Sequence, residues 1–116
     1  MSQTYKDLVA WEVSIDLVTE IYAITASFPQ HEKYGLASQL RRASVSVPSN
    51  IAEGAARHTK REFVNYLYIV RGSLAELQTQ LLIASRLGYL ESITELERSI
   101  ERVHSLLAGL IRRNYS

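Results

Sequence analysis

Glu101 and His104 stand three apart as E-x-x-H, the spacing by which some helical bundles hold di-iron centres. Such a centre takes two copies of the motif and two further inward carboxylates. The chain has one copy, and neither His31 nor His58 sits in a second. A structural role follows for this pair, and no metal site is expected. Ser46, Asn50 and Glu53 offer a hydroxyl, an amide and a carboxylate at spacings of four and three, which places them on one helical face. No nucleophile–base–orienter set accompanies them. Cysteine is absent, so there is no thiolate nucleophile or disulfide framework. Neither GxxxxGK[ST] nor GxGxxG occurs to cradle a phosphate. A hydrogen-bond network that fixes packing is the expected role of the polar cluster. No catalytic residue, enzymatic activity or cofactor is expected.

The remaining chemistry is cationic. Between Leu36 and Arg71 stand Arg41, Arg42, Arg57, Lys60, Arg61 and Arg71 against Glu53 and Glu62, while the rest of the chain carries more acid than base. The formal charge of +1 therefore hides a basic middle, a pattern suited to an anionic partner. The plainer alternative pairs these arginines with acids on neighbouring helices, where exposed ion pairs contribute little. Arg41, Arg42, Arg57, Lys60 and Arg61 are the candidate nucleic-acid contacts. No helix-turn-helix, RRM, KH or zinc-finger pattern accompanies them.

Four helices must position these groups, and 116 residues suffice for one domain, residues 1–116, with a single core. The first is expected from Lys6 to Ala26, with Leu8, Trp11, Ile15, Val18 and Tyr22 as its apolar line and a weak Thr4–Asp7 cap. Ser27-Phe28-Pro29 ends it. The second begins near Glu32 to Tyr34, and its line Leu36, Leu40, Ala43, Val47 and Ile51 passes Pro48 without losing register. A kinked helix is expected there, because proline removes one bond and crowds the Ser44 carbonyl. Ser44 and Ser46 are placed to ease the bend. Thr59 to Glu62 is a capping box opening the third helix. Its buried line is Phe63, Leu67, Val70, Leu74, Leu77, Leu81 and Ala84, with Gly88 just past the end. Ser92 to Glu95 opens the fourth, with Ile93, Leu96, Ile100, Val103, Leu107 and Leu110 inward. The fold class is all-α, an antiparallel up-down-up-down four-helix bundle.

A hairpin of helices two and three turning near His58 sets Ala43 and Ser44 against Ser73 and Gly72, Asn50 near Tyr66, and Glu76 near Arg41 and Arg42. Close backbone approach at the small residues and a Glu76–arginine pair are expected. Trp11, Tyr22, Tyr66 and Tyr68 read mainly as core, but Tyr66 and Tyr68, two apart, cannot share a face, so one of them points outward.

LVAW (8–11), YGLASQLRRASVSVPSNIAEG (34–54), Gly72-Ser73, Glu76-Leu77 and LGYL (87–90) resemble the bacterial four-helix-bundle proteins named for 23S rRNA intervening sequences. The likeness covers nearly the whole chain. It implies a protomer that assembles as a ring-like homopentamer. A related branch holds the accessory variability protein of diversity-generating retroelements, a basic pentameric barrel that binds nucleic acid and a reverse transcriptase. From the latter this chain departs in its near-neutral charge. Arg41, Arg42, Ser46, Pro48, Asn50, Glu53, Gly54, Gly72, Ser73 and Glu76 match the family pattern as positions, with packing or interface roles expected for those from Ser46 onward. The expected function is a non-enzymatic, oligomeric nucleic-acid-binding module, RNA foremost and DNA next, with its basic surface repeated around the ring. The alternative is a structural or protein-interaction scaffold. No apolar run reaches 18 residues and no signal peptide is evident, so a cytoplasmic protein without a membrane partner is expected.

Overall fold

In a computed structural model, Tyr5 and residues 8–115 are described. The start expected for the first helix at Lys6 and its Thr4–Asp7 cap lie outside them. Four helices follow in order: α1 Val9–Thr25, α2 Leu36–Ala55, α3 Lys60–Arg86 and α4 Thr94–Asn114. A single 3-10 turn at Gln30–Glu32 precedes α2, and no strand occurs among the described residues. Each helix packs on its chain neighbour and α1 closes against α4, the arrangement of a four-helix bundle. Its extents are 47 × 23 × 19 Å.

The core is a column of aliphatic side chains without solvent exposure, among them Leu17, Ile21, Leu40, Val47, Ile51, Leu67, Leu74, Leu77 and Leu81. The lines expected on α2, α3 and α4 all face it, save that Phe63 is only half-buried beside buried Val64, and Ile93 is half-buried. Helix ends follow local chemistry. Thr59 Oγ1 accepts from the Glu62 amide at 3.1 Å, satisfying one orphan donor of α3. Gly88, at φ 80°, takes the left-handed position after it. At α4 the expected capping box gives way to a tighter turn. Ser92 Oγ accepts from the Thr94 amide at 3.3 Å, and the N-cap residue is Ile93.

Helix α1 is the clearest correction. Its core face is Ala10, Ser14, Leu17, Ile21 and Thr25. Of the expected line only Leu8 is buried; Ile15 is 38% and Tyr22 43% exposed, and Trp11 and Val18 are half-buried. Small and hydroxyl residues take the core position because their protons stay within the helix: Ser14 Oγ donates to the Trp11 carbonyl at 2.7 Å and Thr25 Oγ1 to that of Ile21 at 2.7 Å. Such back-bonding lets a hydroxyl enter an apolar interface without an unmet donor.

Helix α2 stays α-helical through Pro48, whose ring is buried. Ser44 Oγ donates to the Arg41 carbonyl at 2.9 Å, and Asn50 Nδ2 to that of Ser46 at 2.8 Å. The α2–α3 hairpin turns slightly later than the His58 expectation. Ser46 meets Ser73 hydroxyl to hydroxyl at 2.6 Å, and Gly54, not Asn50, lies against Tyr66. The partner of Tyr66 thus shifts by about one helical turn. The close approach moves with it. A Cβ on Gly54 would stand 2.5 Å from Tyr66 Cβ, whereas one on Gly72 meets nothing within 4 Å. Gly72 is exposed and plays no part in helix contact.

Candidate nucleic-acid interface

The up-down topology brings the α2–α3 turn and the last turn of α4 to one end of the bundle. Arg57, His58 and Lys60 line a cleft of about 370 Å³ there, together with Phe63, Leu110 and Arg113. Arg112 and Arg113 close α4, and both guanidiniums fold back near Gly109, within 4 Å of the point its Cβ would occupy. Cations at a helix C-terminus oppose its partial negative charge. Together with Arg61, this end carries five formal positive charges: Arg57, Lys60, Arg61, Arg112 and Arg113.

Arg57 is the most constrained of them. Its Nη2 donates to the Tyr66 hydroxyl, its guanidinium lies 5.0 Å over the Tyr66 ring, and Nη2 reaches Glu53 Oε2 at 3.5 Å. The Tyr66 hydrogen bond above all, with the Glu53 and Glu62 charges behind it, pushes its pKa up. Lys60, Arg61, Arg112 and Arg113 make no ion pair among the described residues. An anion approaching this end meets these four cations outside any such pair, while Arg57 is shared with Glu53.

Arg41 and Arg42 are not part of this cluster. About 15 residues of helix, roughly 22 Å, separate them from Arg57. Arg41 Nε donates to Thr25 Oγ1 at 2.8 Å and its guanidinium lies 4.6 Å over Tyr22, fixing α2 to α1. Arg42 is exposed and lines a separate polar groove of about 440 Å³ along the α2–α3 seam with Ser46, Asn50, Ser73, Glu76 and Gln80. The expected pairing of Glu76 with an arginine does not form among the described residues. Within that groove the Gln80 side-chain oxygen is buried without a donor. The motif residues therefore divide: Ser46, Asn50, Ser73 and Glu76 share the seam, Glu53 faces Arg57, Gly54 seats Tyr66, Pro48 packs toward α1, and Gly72 faces outward. The seam gathers the Ser46 and Ser73 hydroxyls, the amides of Gln39, Asn50 and Gln80, the Glu76 carboxylate and the Arg42 guanidinium, with no histidine among them. Glu101 and His104 are both exposed, and no three acidic or histidine side chains converge among the described residues.

The sequence reading passed over Arg112, Arg113 and the exposed Tyr115, while of Tyr66 and Tyr68, one of which it expected to point outward, Tyr68 is the exposed one. The signal for the first two was present, because an up-down four-helix chain must end beside its α2–α3 turn. At the opposite end, Tyr89 donates to Glu32 Oε2 at 2.9 Å and Glu32 Oε1 accepts from the Leu36 amide at 3.0 Å. The Leu36 amide, then the Tyr89 hydroxyl, hold the Glu32 carboxyl below the usual carboxylate range, and the bond to Glu32, with burial, raises the Tyr89 hydroxyl.

The family model for the 23S rRNA-intervening sequence protein matches residues 6–109. The chain belongs to this family. A solved structure of a protein with unknown function, from the S23 ribosomal protein family of Bacteroides thetaiotaomicron, superposes with a TM-score of 0.72 at 19% identity, covering 93% of this chain and 100% of that one. At that identity the likeness speaks for the fold. No curated protein matches the chain. No described helix of this family member is long and apolar enough to cross a membrane.

Proposed function

We propose that this chain is a non-enzymatic nucleic-acid-binding module acting as a homo-oligomer in the cytoplasm, with RNA as the favoured polymer. The observation that carries the reading is the bundle end where Arg57, Lys60, Arg61, Arg112 and Arg113 collect. Phosphate contacts of this kind are electrostatic and release counterions. RNA is favoured over DNA because the family description names 23S rRNA.

Assembly is supported by an apolar groove of about 360 Å³ between α1 and α2, lined by Trp11, Ile15, Val18, Val45, Pro48 and Ala52. Apolar side chains gathered along one strip, with Ile15 and Val45 exposed on it, mark an interaction surface. A second copy is the occupant, and a ring of five, the number that the family resemblance implies, repeats the basic end fivefold. A bend of α2 at Pro48 would open this groove toward that copy. The same groove favours the second reading, a protein scaffold without intrinsic affinity for nucleic acid.

A filter-binding titration with an RNA hairpin bearing a single-stranded tail, run across salt, separates the two. Binding with a steep salt slope is expected, and Lys60→Gln reduces that slope by about 0.7 if its contact is to a single strand. A Kd weaker than roughly 10⁻⁴ M at low salt leaves only the scaffold. Light scattering tests assembly separately, since a 13.1 kDa monomer contradicts the ring.

A further inference from the structure

We propose that a cleft beside the basic end seats an unpaired base, so that the nucleic acid this end takes is single-stranded. The inference rests on the nucleic-acid reading above and names its substrate class. The cleft, of about 320 Å³, lies between α3 and the last residues of α4 and is lined by Arg61, Asn65, Tyr68, Asn114 and Tyr115. Arg61, Asn65 and Tyr68 stand four and three apart, so they form one stripe on α3. The stripe starts at the cationic turn and runs toward an aromatic ring.

Each part matches one part of a nucleotide. Tyr115 is 66% and Tyr68 37% exposed, although a tyrosine ring carries a large apolar area that is ordinarily covered. An exposed ring at a cationic edge is a stacking platform for a base. The Arg71 guanidinium lies 4.7 Å over the Tyr68 ring, holding that ring in place and adding a positive charge beyond the cleft. Asn114 Nδ2 donates to the Leu110 carbonyl at 2.8 Å. That bond fixes the amide and leaves its oxygen to accept from an exocyclic amine. Asn65 is exposed on the facing wall. Arg61 stands where the stripe joins the turn, placed for the phosphate beside the seated base.

A duplex cannot use this cleft. Its base faces are stacked on their neighbours, and proteins reach paired A-form RNA through the shallow groove and the backbone. An unstacked base can enter, and stacking accepts any base by its π-face, with the Asn114 oxygen favouring those that carry an exocyclic amine.

Fluorescence anisotropy tests this with a labelled single-stranded RNA of about 12 nucleotides, within the span of common single-strand sites, and a duplex of the same length. The single strand should bind more tightly. Tyr115→Ala should weaken it by roughly fivefold or more, and Tyr115→Phe, which keeps the ring, should not. The paired change Lys60→Gln with Arg113→Gln should weaken single strand and duplex alike. If Tyr115→Ala and Tyr68→Ala both bind like the parent, and the charge variant alone loses affinity, the seat is refuted while the basic end stands. If the parent protein binds neither RNA, both readings fall. All four substituted side chains are exposed, and the Tyr115 pair compares two variants at one exposed position, so loss of folding cannot mimic the expected pattern.

Discussion

Gly54→Ala and Gly72→Ala make the same chemical change in two glycines of the family pattern, and the structure assigns them opposite signs. Alanine in a helix interior is favoured over glycine by about 1 kcal/mol. At Gly72 nothing lies within 4 Å of the added methyl, so the gain is kept, about 0.5–1 kcal/mol. At Gly54 the methyl would stand 2.5 Å from Tyr66 Cβ and 3.1 Å from Phe63 Cδ1. A Cβ cannot rotate away, so α2 and α3 must separate at that point. Overpacking of this kind costs about 1–3 kcal/mol, and the propensity gain so near the helix end is small. The net loss is about 1–2 kcal/mol. For a chain of this length, 1 kcal/mol moves Tm by about 4 °C. Thermal unfolding by circular dichroism, at one matched protein concentration because assembly shifts apparent stability, should show Gly72→Ala about 2–4 °C above the parent and Gly54→Ala about 4–8 °C below it. Equal melting of the two variants would refute the close approach at Gly54 and the register built on it.

Other outcomes follow from the helix ends. Thr59→Ala removes the side chain that accepts from the Glu62 amide and should cost about 1 kcal/mol, read as a lower urea midpoint with unchanged slope. Glu32 ionises more readily in the folded chain because it accepts from the Leu36 amide and the Tyr89 hydroxyl. Its contribution is complete above about pH 4.3, the ordinary glutamate value, and is lost as pH falls through the lowered folded value. Glu32→Gln should therefore flatten that acid limb, and the difference from the parent in urea titrations should shrink as the buffer is made more acidic. Tyr89 runs the other way. Its raised hydroxyl keeps its contribution below about pH 10 and loses it as pH rises further.

Helices α2, α3 and α4 were legible because one long apolar period dominates each, although Val45, Ile69, Leu82 and Ile83 lie exposed off it, and no rival line matches the length of the core lines. The capping box at Thr59 and the glycine at 88 were legible because their chemistry is local. The Gly54 contact was not, because a shift of the hairpin by two residues moves every cross-helix partner by about a turn, and neither loop composition nor charge fixes that shift. The candidate interface was legible only where it is contiguous in sequence. Arg57, Lys60 and Arg61 declare themselves as a run, but Arg112, Arg113 and Tyr115 join them through topology alone. Arg41 and Arg42 looked like members by charge, and the length of α2 removes them.

Helix α1 shows why the residue sizes misled and what the error is worth. The line 11, 15, 18, 22 and the line 10, 14, 17, 21, 25 lie about a quarter-turn apart at 100° per residue. Both lack charged residues; Glu12, Asp16 and Glu20 are confined to the other side. Choosing the line with the larger side chains assumes that one face must be buried and the bulkier one wins. The chain instead gives the core the line with Ala10, Ser14 and Thr25, whose small side chains let α1 lie close to its neighbours. Trp11, Ile15 and Val18 are left beside Val45 and Pro48, and Tyr22 lies under the Arg41 guanidinium. A helix apolar over two adjacent faces is the pattern of an element covered on two sides; α1 packs on α2 and α4 and still leaves Ile15 and Tyr22 exposed. The misassigned line is therefore the sequence feature that argues most directly for a second copy. Ile15→Lys places a charge on that strip without touching the core, and it should dissociate the proposed assembly in light scattering while leaving the helical circular dichroism unchanged. An assembly that survives Ile15→Lys at its parental mass would move the contact away from α1.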